Sequence, residues 1–148
     1  MKSTTIDNLN KILTNTIEFQ EVLKDLAKSV YDETTKEKLK ELAAIKKKHS
    51  EQLIGLISDL GGDVESTGRM TDQEAVSWVQ KPLPAGDEMT EILSLLKTAE
   101  EKALNDYNEL LAQSELNDEM QQTLEVHVQD VKANLKYFTV AKESLEKR

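Results

Sequence analysis

The sequence predicts an all-α protein built as a bundle of four helices, and two observations support this. Helix-breaking residues are concentrated between Leu60 and Asp87, where both prolines and every glycine except Gly55 lie. The two flanking stretches are rich in Leu, Glu, Lys and Ala, which favour helices. Their apolar residues recur three and four positions apart, so they share one face of each helix.

Composition limits the classes of function. The chain has 148 residues, which suits a single domain over residues 1–148. It has no cysteine, which excludes disulfides, iron–sulfur clusters and thiolate zinc sites. The formal net charge of −9 repels phosphate, so we expect no nucleic acid and no membrane as partners. No apolar run approaches ~20 residues and no signal peptide is recognisable, so we expect a soluble, cytoplasmic protein.

The first stretch is predicted to form two helices, over about residues 5–30 and 34–60. Thr34 and Glu37 have the spacing of a capping box at the start of helix two, and Gly61 suits the left-handed conformation that follows a helix end. The inward face of helix one carries Ile6, Leu9, Leu13, Thr16, Gln20, Leu23, Ala27 and Val30. The inward face of helix two carries Leu39, Leu42, Lys46, His49, Leu53, Leu56 and Leu60.

The second stretch is predicted to form helices three and four, over about residues 88–113 and 117–146. Asp87 and Asn117 are residue types that cap helix N-termini. The inward face of helix three carries Leu93, Leu96, Glu100, Ala103, Tyr107 and Leu110. The inward face of helix four carries Met120, Leu124, His127, Val131, Asn134, Phe138, Ala141 and Leu145.

The connection over residues 61–87 is long for a compact domain. Helix two would be ~38 Å long, and returning along it takes ~12 extended residues. We therefore interpret the connection as a crossover that leaves helices two and three parallel. Thr71 and Glu74 have capping-box spacing, which predicts a short extra helix over residues 71–79. Trp78, the only tryptophan, is predicted to anchor this helix to the bundle, with a partner contact as the alternative.

A four-helix bundle with one long crossover after helix two has ferritin-like topology. The chain also resembles a family of bacterial ferritin-like proteins of unassigned function. The resemblance is carried by LGGD at residues 60–63, by AEEKALNDYNELL at residues 99–111, by LNKIL at residues 9–13 and by Glu21. It implies a ferritin-like fold and no particular activity.

Spacing and the crossover place polar residues at one height in the middle of the bundle. His49 lies 11 residues before Leu60, and His127 lies 10 residues after Asn117, at the same end of the bundle. Glu100 falls at that height on helix three. The predicted polar core layer also contains Thr16, Gln20, Lys46 and Asn134.

Di-iron proteins of ferritin-like fold use a Glu on each of two helices and a Glu-x-x-His motif on each of the other two. Here Lys46 and Leu124 stand three residues before the two histidines, so both motif glutamates are missing. A smaller site remains an alternative, in which two imidazoles and one or two carboxylates bind a single iron or zinc ion. Its predicted ligands are His49, Glu100, His127 and Asp130.

We favour a simpler interpretation, in which the layer is a hydrogen-bonded network without a cofactor and Lys46 pairs with Glu100 or Glu18. The sequence contains no phosphate-binding glycine loop and no nucleophile–base pair. We therefore expect a non-catalytic binding or structural module, with a metal-binding protein or oxidoreductase as the alternative. We also expect a homodimer. Its proposed face is the flank of helix one that carries Ile12, Phe19 and Leu26. The alternative role of this flank is to cover the crossover helix.

Overall fold

The computed structural model describes residues 2–64, 77–113 and 115–147. Four α-helices lie in these ranges: α1 at Lys2–Ser29, α2 at Glu33–Asp59, α3 at Met89–Gln113 and α4 at Asp118–Glu146. The predicted all-α class and its four helices are therefore confirmed. No helix in the described parts of the chain combines the length and the hydrophobicity needed to cross a bilayer.

The helix ends follow the predicted caps in part. Asn117 caps α4, because its side chain accepts a hydrogen bond from the backbone N–H of Met120 at 2.9 Å. Gly61 has φ +77° after α2, and the N–H groups of Gly61 and Gly62 donate to the last carbonyls of that helix. These bonds form a Schellman motif, in which glycine avoids the steric penalty of a left-handed residue.

Two predicted N-terminal caps are wrong. Helix α2 is capped by Asp32, whose carboxylate accepts from the backbone N–H of Thr35, instead of by Thr34. The Thr35 hydroxyl also donates to this carboxylate at 2.7 Å, a second bond that makes the earlier cap favourable. In α3 the first helical bond runs from the N–H of Ile92 to the carbonyl of Glu88, so the cap position is one residue later than Asp87.

The helices pack as two antiparallel hairpins. Helix α1 packs against α2 and α3, and helix α4 packs against α3 and α2. Over the described residues, the backbones of the diagonal pairs α1–α4 and α2–α3 stay more than 8 Å apart between Cα atoms, so these helices meet only through long side chains. The shared interior is lined by large apolar side chains, among them Leu13, Leu53, Leu96 and Leu124, each fully buried. Burying such stripes drives the association of the four helices.

The flank of α1 proposed as a dimer face is part of this interior. Ile12, Phe19 and Leu26 are at most 2% exposed within the single chain. They therefore offer no surface to a second copy, and the prediction of a dimer face on this flank is wrong.

Both ends of the connection between the hairpins lie against α1. Gly62 lies so close to Ile6 that an added Cβ would stand 2.7 Å from its side chain. The side chain of Asn10 donates to the carbonyl of Asp63 at 3.0 Å. Gly86 lies against the backbone of Ser29, where an added Cβ would meet the carbonyl oxygen at 1.8 Å, so only glycine fits.

The prediction of a short helix over residues 71–79 is wrong at its end. Residues 77–79 are irregular. Residues 71–76 lie outside the described part of the chain.

Candidate functional site

A buried ion pair crosses the middle of the bundle between α2 and α3. Lys46 Nζ lies 2.6 Å from Glu100 Oε1, and both side chains are 1% exposed. Asn134 on α4 donates its Nδ2–H to Glu100 Oε2 at 2.7 Å. The ammonium also lies 4.7 Å from the centre of the Phe19 ring on α1, a cation–π contact. Both carboxylate oxygens of Glu100 thus have partners. Each of the four helices supplies one side chain to the ion pair or its surroundings.

The two histidines meet one turn further along α2. The rings of His49 and His127 stack with centroids 3.9 Å apart and planes 17° apart. His49 Nε2 lies 2.8 Å from Asp130 Oδ2. Both histidine residues are at most 1% exposed, whereas the Asp130 side chain is 41% exposed and connects the pair to solvent.

Both nitrogens of His127 have partners. Its Nδ1 lies 2.9 Å from the hydroxyl of Tyr107, and its Nε2 lies 2.7 Å from Gln52 Oε1. Burial is the largest cause that raises the pKa of Tyr107, and the nearby Glu100 adds to it. The phenol therefore keeps its proton and donates a hydrogen bond to Nδ1. The ring proton then lies on Nε2 and is donated to the Gln52 oxygen, which leaves His127 without a free lone pair.

Burial keeps both imidazoles neutral. It is the largest cause that lowers the pKa of His49 to about 3, and the ammonium groups of Lys46 and Lys48 add to it. Burial also lowers the pKa of His127 to about 3, with His49 as the next contribution and Asp130 opposing. Two neutral rings can stack closely, whereas two imidazolium ions at this distance would repel.

One nitrogen of the cluster has no partner. His49 Nδ1 is buried and unbonded, the one such side-chain nitrogen or oxygen in the described part of the chain. Because the Asp130 carboxylate accepts the proton of Nε2, this Nδ1 carries a bare lone pair.

The four predicted metal ligands lie near one another without converging. A metal ion must lie about 2.0–2.1 Å from each histidine nitrogen, close to the plane of each ring. The rings of His49 and His127 are stacked, with centroids 3.9 Å apart and planes only 17° from parallel, so no such point serves both rings. Over the described residues, no three side chains of the His, Cys, Asp or Glu types form a group that could hold a metal ion. The single iron or zinc ion stays a prediction.

The remaining members of the predicted layer have separate roles. The hydroxyl of Thr16 donates to the carbonyl of Ile12 at 2.7 Å and lies beside the Tyr107 hydroxyl. Gln20 is buried on α1. Glu18, the alternative partner for Lys46, instead accepts a hydrogen bond from the Ser77 hydroxyl.

Sequence reasoning missed two members of the cluster. Tyr107 belonged to the inward series of helix three but was not assigned to the polar layer. Gln52 follows His49 by three residues, a spacing that places both on one side of α2, and this was the available signal.

Trp78 joins the two hairpins on the opposite side of the bundle. Its backbone N–H donates to Asn15 Oδ1 on α1 at 3.0 Å, and its indole Nε1–H donates to Asp106 Oδ2 on α3 at 2.7 Å. Burial raises the pKa of Asp106, and the indole hydrogen bond opposes this shift.

The fluorescence of Trp78 is expected to be that of a buried indole, because the residue is 1% exposed. We expect a blue-shifted emission maximum and little quenching by iodide. Unfolding the protein in urea provides the control, since it should move the maximum to that of free tryptophan. An emission maximum already at the free value in the folded protein would contradict the anchor.

A comparison with models of protein families identifies the family of this chain. The model of a family described as "Domain of unknown function (DUF2383)" matches residues 4–113, which is most of the chain. The chain belongs to the DUF2383 family. No curated protein matches this DUF2383 chain. The match to a domain of unknown function confirms the expectation of an uncharacterised family. The match covers α1 to α3, so the α4 residues His127, Asp130 and Asn134 lie beyond it.

Proposed function

We propose that this DUF2383 domain is a ferritin-like bundle with a degenerate metal centre, and that it acts as a non-catalytic binding or structural module. The observation that carries the proposal is the ion pair between Lys46 and Glu100 at 2.6 Å. In di-iron bundles the residue three before the histidine is a glutamate that binds metal. Here that position is Lys46, whose ammonium gives the buried carboxylate its positive partner.

The contacts of the connection support the ferritin-like topology. Gly62, just after α2, lies against Ile6 near the start of α1, whereas Gly86, just before α3, lies against Ser29 at the end of α1. Helix α3 would then begin at the end of the bundle where α2 begins. This arrangement makes α2 and α3 parallel and needs one long crossover, as in ferritin-like bundles.

The charges in the layer disfavour a dinuclear centre. Four carboxylates neutralise two metal ions in such centres. Among the described residues Glu100 is the one fully buried carboxylate, and Lys46 already neutralises it. Placing a divalent cation beside a buried ammonium is costly, because like charges repel strongly at low effective dielectric constant.

Metal analysis tests this proposal. Protein purified without chelator is expected to contain far less than one equivalent of iron, zinc or manganese. Added Fe(II), Zn(II) or Mn(II) should leave the midpoint of thermal unfolding unchanged, because a ligand that binds only the folded state would raise it. A stoichiometric metal ion that survives dialysis would contradict the proposal.

A gain-of-function variant provides the matched positive control. The double substitution Lys46→Glu with Leu124→Glu restores a Glu-x-x-His motif on α2 and on α4. This variant is expected to bind iron or zinc, whereas Lys46→Met, which removes the charge and adds no ligand, is not. Equal metal binding by the wild type and the double variant would show that Lys46 does not exclude metal.

The second candidate is a metal-binding protein or oxidoreductase that uses the same layer. The observation in its favour is the bare lone pair of the buried His49 Nδ1. If this nitrogen binds a single iron or zinc ion, the metal content should be lost in His49→Gln and kept in Gln52→Ala.

A further inference from the structure

The outward side of α4 carries a regular stripe of exposed residues, here called the α4 stripe. Its members follow one another at alternating spacings of four and three residues: Gln122, Val126, Gln129, Ala133, Lys136 and Val140. This spacing is that of a coiled-coil seam. The stripe lies on the side of α4 that faces away from the buried Leu124, Val131 and Phe138.

The α4 stripe combines two exposed valines with residues that are mostly uncharged. Among the described residues, Val126 and Val140 are two of the five large hydrophobic side chains that remain exposed, at 57% and 56%. Charged residues make up 32% of the whole chain, yet Lys136 is the only charged member of the stripe. The six members of the stripe include no carboxylate, and the same spacing continues to the exposed Glu119 and Glu143 at its two ends.

We infer that the α4 stripe is the contact surface for a second copy of this chain, packed antiparallel with Ala133 on the two-fold axis. Each copy carries a net charge of −9, so two copies repel least across a face where carboxylates are few and can lie opposite a lysine. About this axis Val126 lies opposite Val140 of the other copy, because each is seven residues from Ala133. The small side chain of Ala133 lets the two helices approach closely where they cross.

Charge complementarity selects the antiparallel direction. Lys136 and Asp130 are each three residues from Ala133, so the antiparallel contact places opposite charges at the same height. The Asp130 side chain is 41% exposed and is accessible for this contact. A parallel pair would instead bring the two Lys136 side chains together. The occupant that fits the α4 stripe is thus the stripe of another copy, since an isologous contact is self-complementary.

The size of the contact predicts a weak dimer. The α4 stripe is ~27 Å long at the rise of an α-helix, and a helix is ~10 Å wide. Each copy therefore buries roughly 300 Å², below the ~800 Å² per partner of a standard stable interface. Self-association is expected at high protein concentration.

Sedimentation over ~10 μM to ~1 mM protein tests the inference, a range suited to weak complexes. The average mass is expected to rise from 16.7 kDa towards twice that value. Val126→Glu and Val140→Glu should each weaken the association by about tenfold or more, because each places a carboxylate in the contact. The matched control Ile54→Glu changes an exposed apolar residue on α2 and should have no effect. A monomer at every concentration, or equal weakening by Ile54→Glu, would overturn the inference.

The register has its own test, since the chain contains no cysteine. Ala133→Cys places two thiols on the two-fold axis, within the ~4.4–6.8 Å Cα separation that a disulfide needs. Ala44→Cys, at an exposed alanine of α2, is the matched control. Under mild oxidation the Ala133→Cys protein is expected to form disulfide dimers at least about tenfold faster. Equal rates would exclude the proposed axis.

Discussion

Replacing Glu100 by Gln is expected to lower the free energy of unfolding by about 3–5 kcal/mol, the usual cost of removing one partner of a buried ion pair. The ammonium of Lys46 would stay buried without a counter-ion, because its side chain is 1% exposed and cannot reach water. The glutamine keeps an oxygen that can accept the hydrogen bond from Asn134, so the loss reports on the charge. Urea unfolding at pH 7.5 measures the effect.

Two matched variants separate this charge effect from simple repacking. The double substitution Lys46→Met with Glu100→Gln removes both charges and is expected to recover most of the lost stability. Glu37→Gln removes the partner of Lys40 in an exposed pair at 3.4 Å and should cost less than about 1 kcal/mol. If Glu100→Gln were as mild as Glu37→Gln, the ion pair would not be buried as described.

Acidification is expected to destabilise the protein through the two histidines. In the unfolded chain an imidazole has a pKa of about 6.5, whereas burial lowers the pKa of His49 and His127 to about 3 in the folded state. The unfolded state therefore binds protons that the folded state refuses. The histidines do not reduce the free energy of unfolding above pH 6.5, and they reduce it progressively as the pH falls from there towards 3.

Between pH 7.5 and 5.5 each histidine is expected to remove about 1.4 kcal/mol from the free energy of unfolding. His49→Gln should therefore lose about 1.4 kcal/mol less than the wild type over this step, and contributions from the carboxylates cancel in the difference. The chain has only two histidines, so the variant with both replaced removes the whole effect and is the natural control. Equal losses in wild type and His49→Gln, measured by urea unfolding at both pH values, would show that His49 is not buried and neutral.

Local sequence determined the helices, because helix formation depends on residues three and four apart in the chain. The periodic apolar stripes predicted all four helices to within a few residues. Asn117 and Gly61 marked helix ends because the hydrogen bonds that end a helix at these residues are made with residues close by in the sequence. Even here, the choice between Asp32 and Thr34 as the cap of α2 was not determined by residue type, since both types cap well and the turn before the helix decides.

The presence of polar residues at one height of the bundle also followed from the sequence, because height depends only on the number of residues from a helix end. Lys46, His49, Glu100 and His127 were all identified this way. Their pairing was decided by the tertiary structure. A small rotation of a helix about its axis decides which neighbour a long side chain reaches, so Lys46 met Glu100 and not Glu18.

Tertiary structure alone decided how the histidines meet and that the flank of α1 is buried. Spacing brought His49 and His127 to one place, but the packing of α2 against α4 made the rings stack instead of pointing at a common centre. The assembly of the bundle also buried Ile12, Phe19 and Leu26 on α1, for which the sequence had left two roles open. Trp78 is held by Asn15 and Asp106, residues far from it in the chain, and such contacts exist only once the hairpins have come together. The physical reason is common to all three cases: local periodicity fixes which face of a helix is apolar, whereas the partner of that face depends on how separate helices pack.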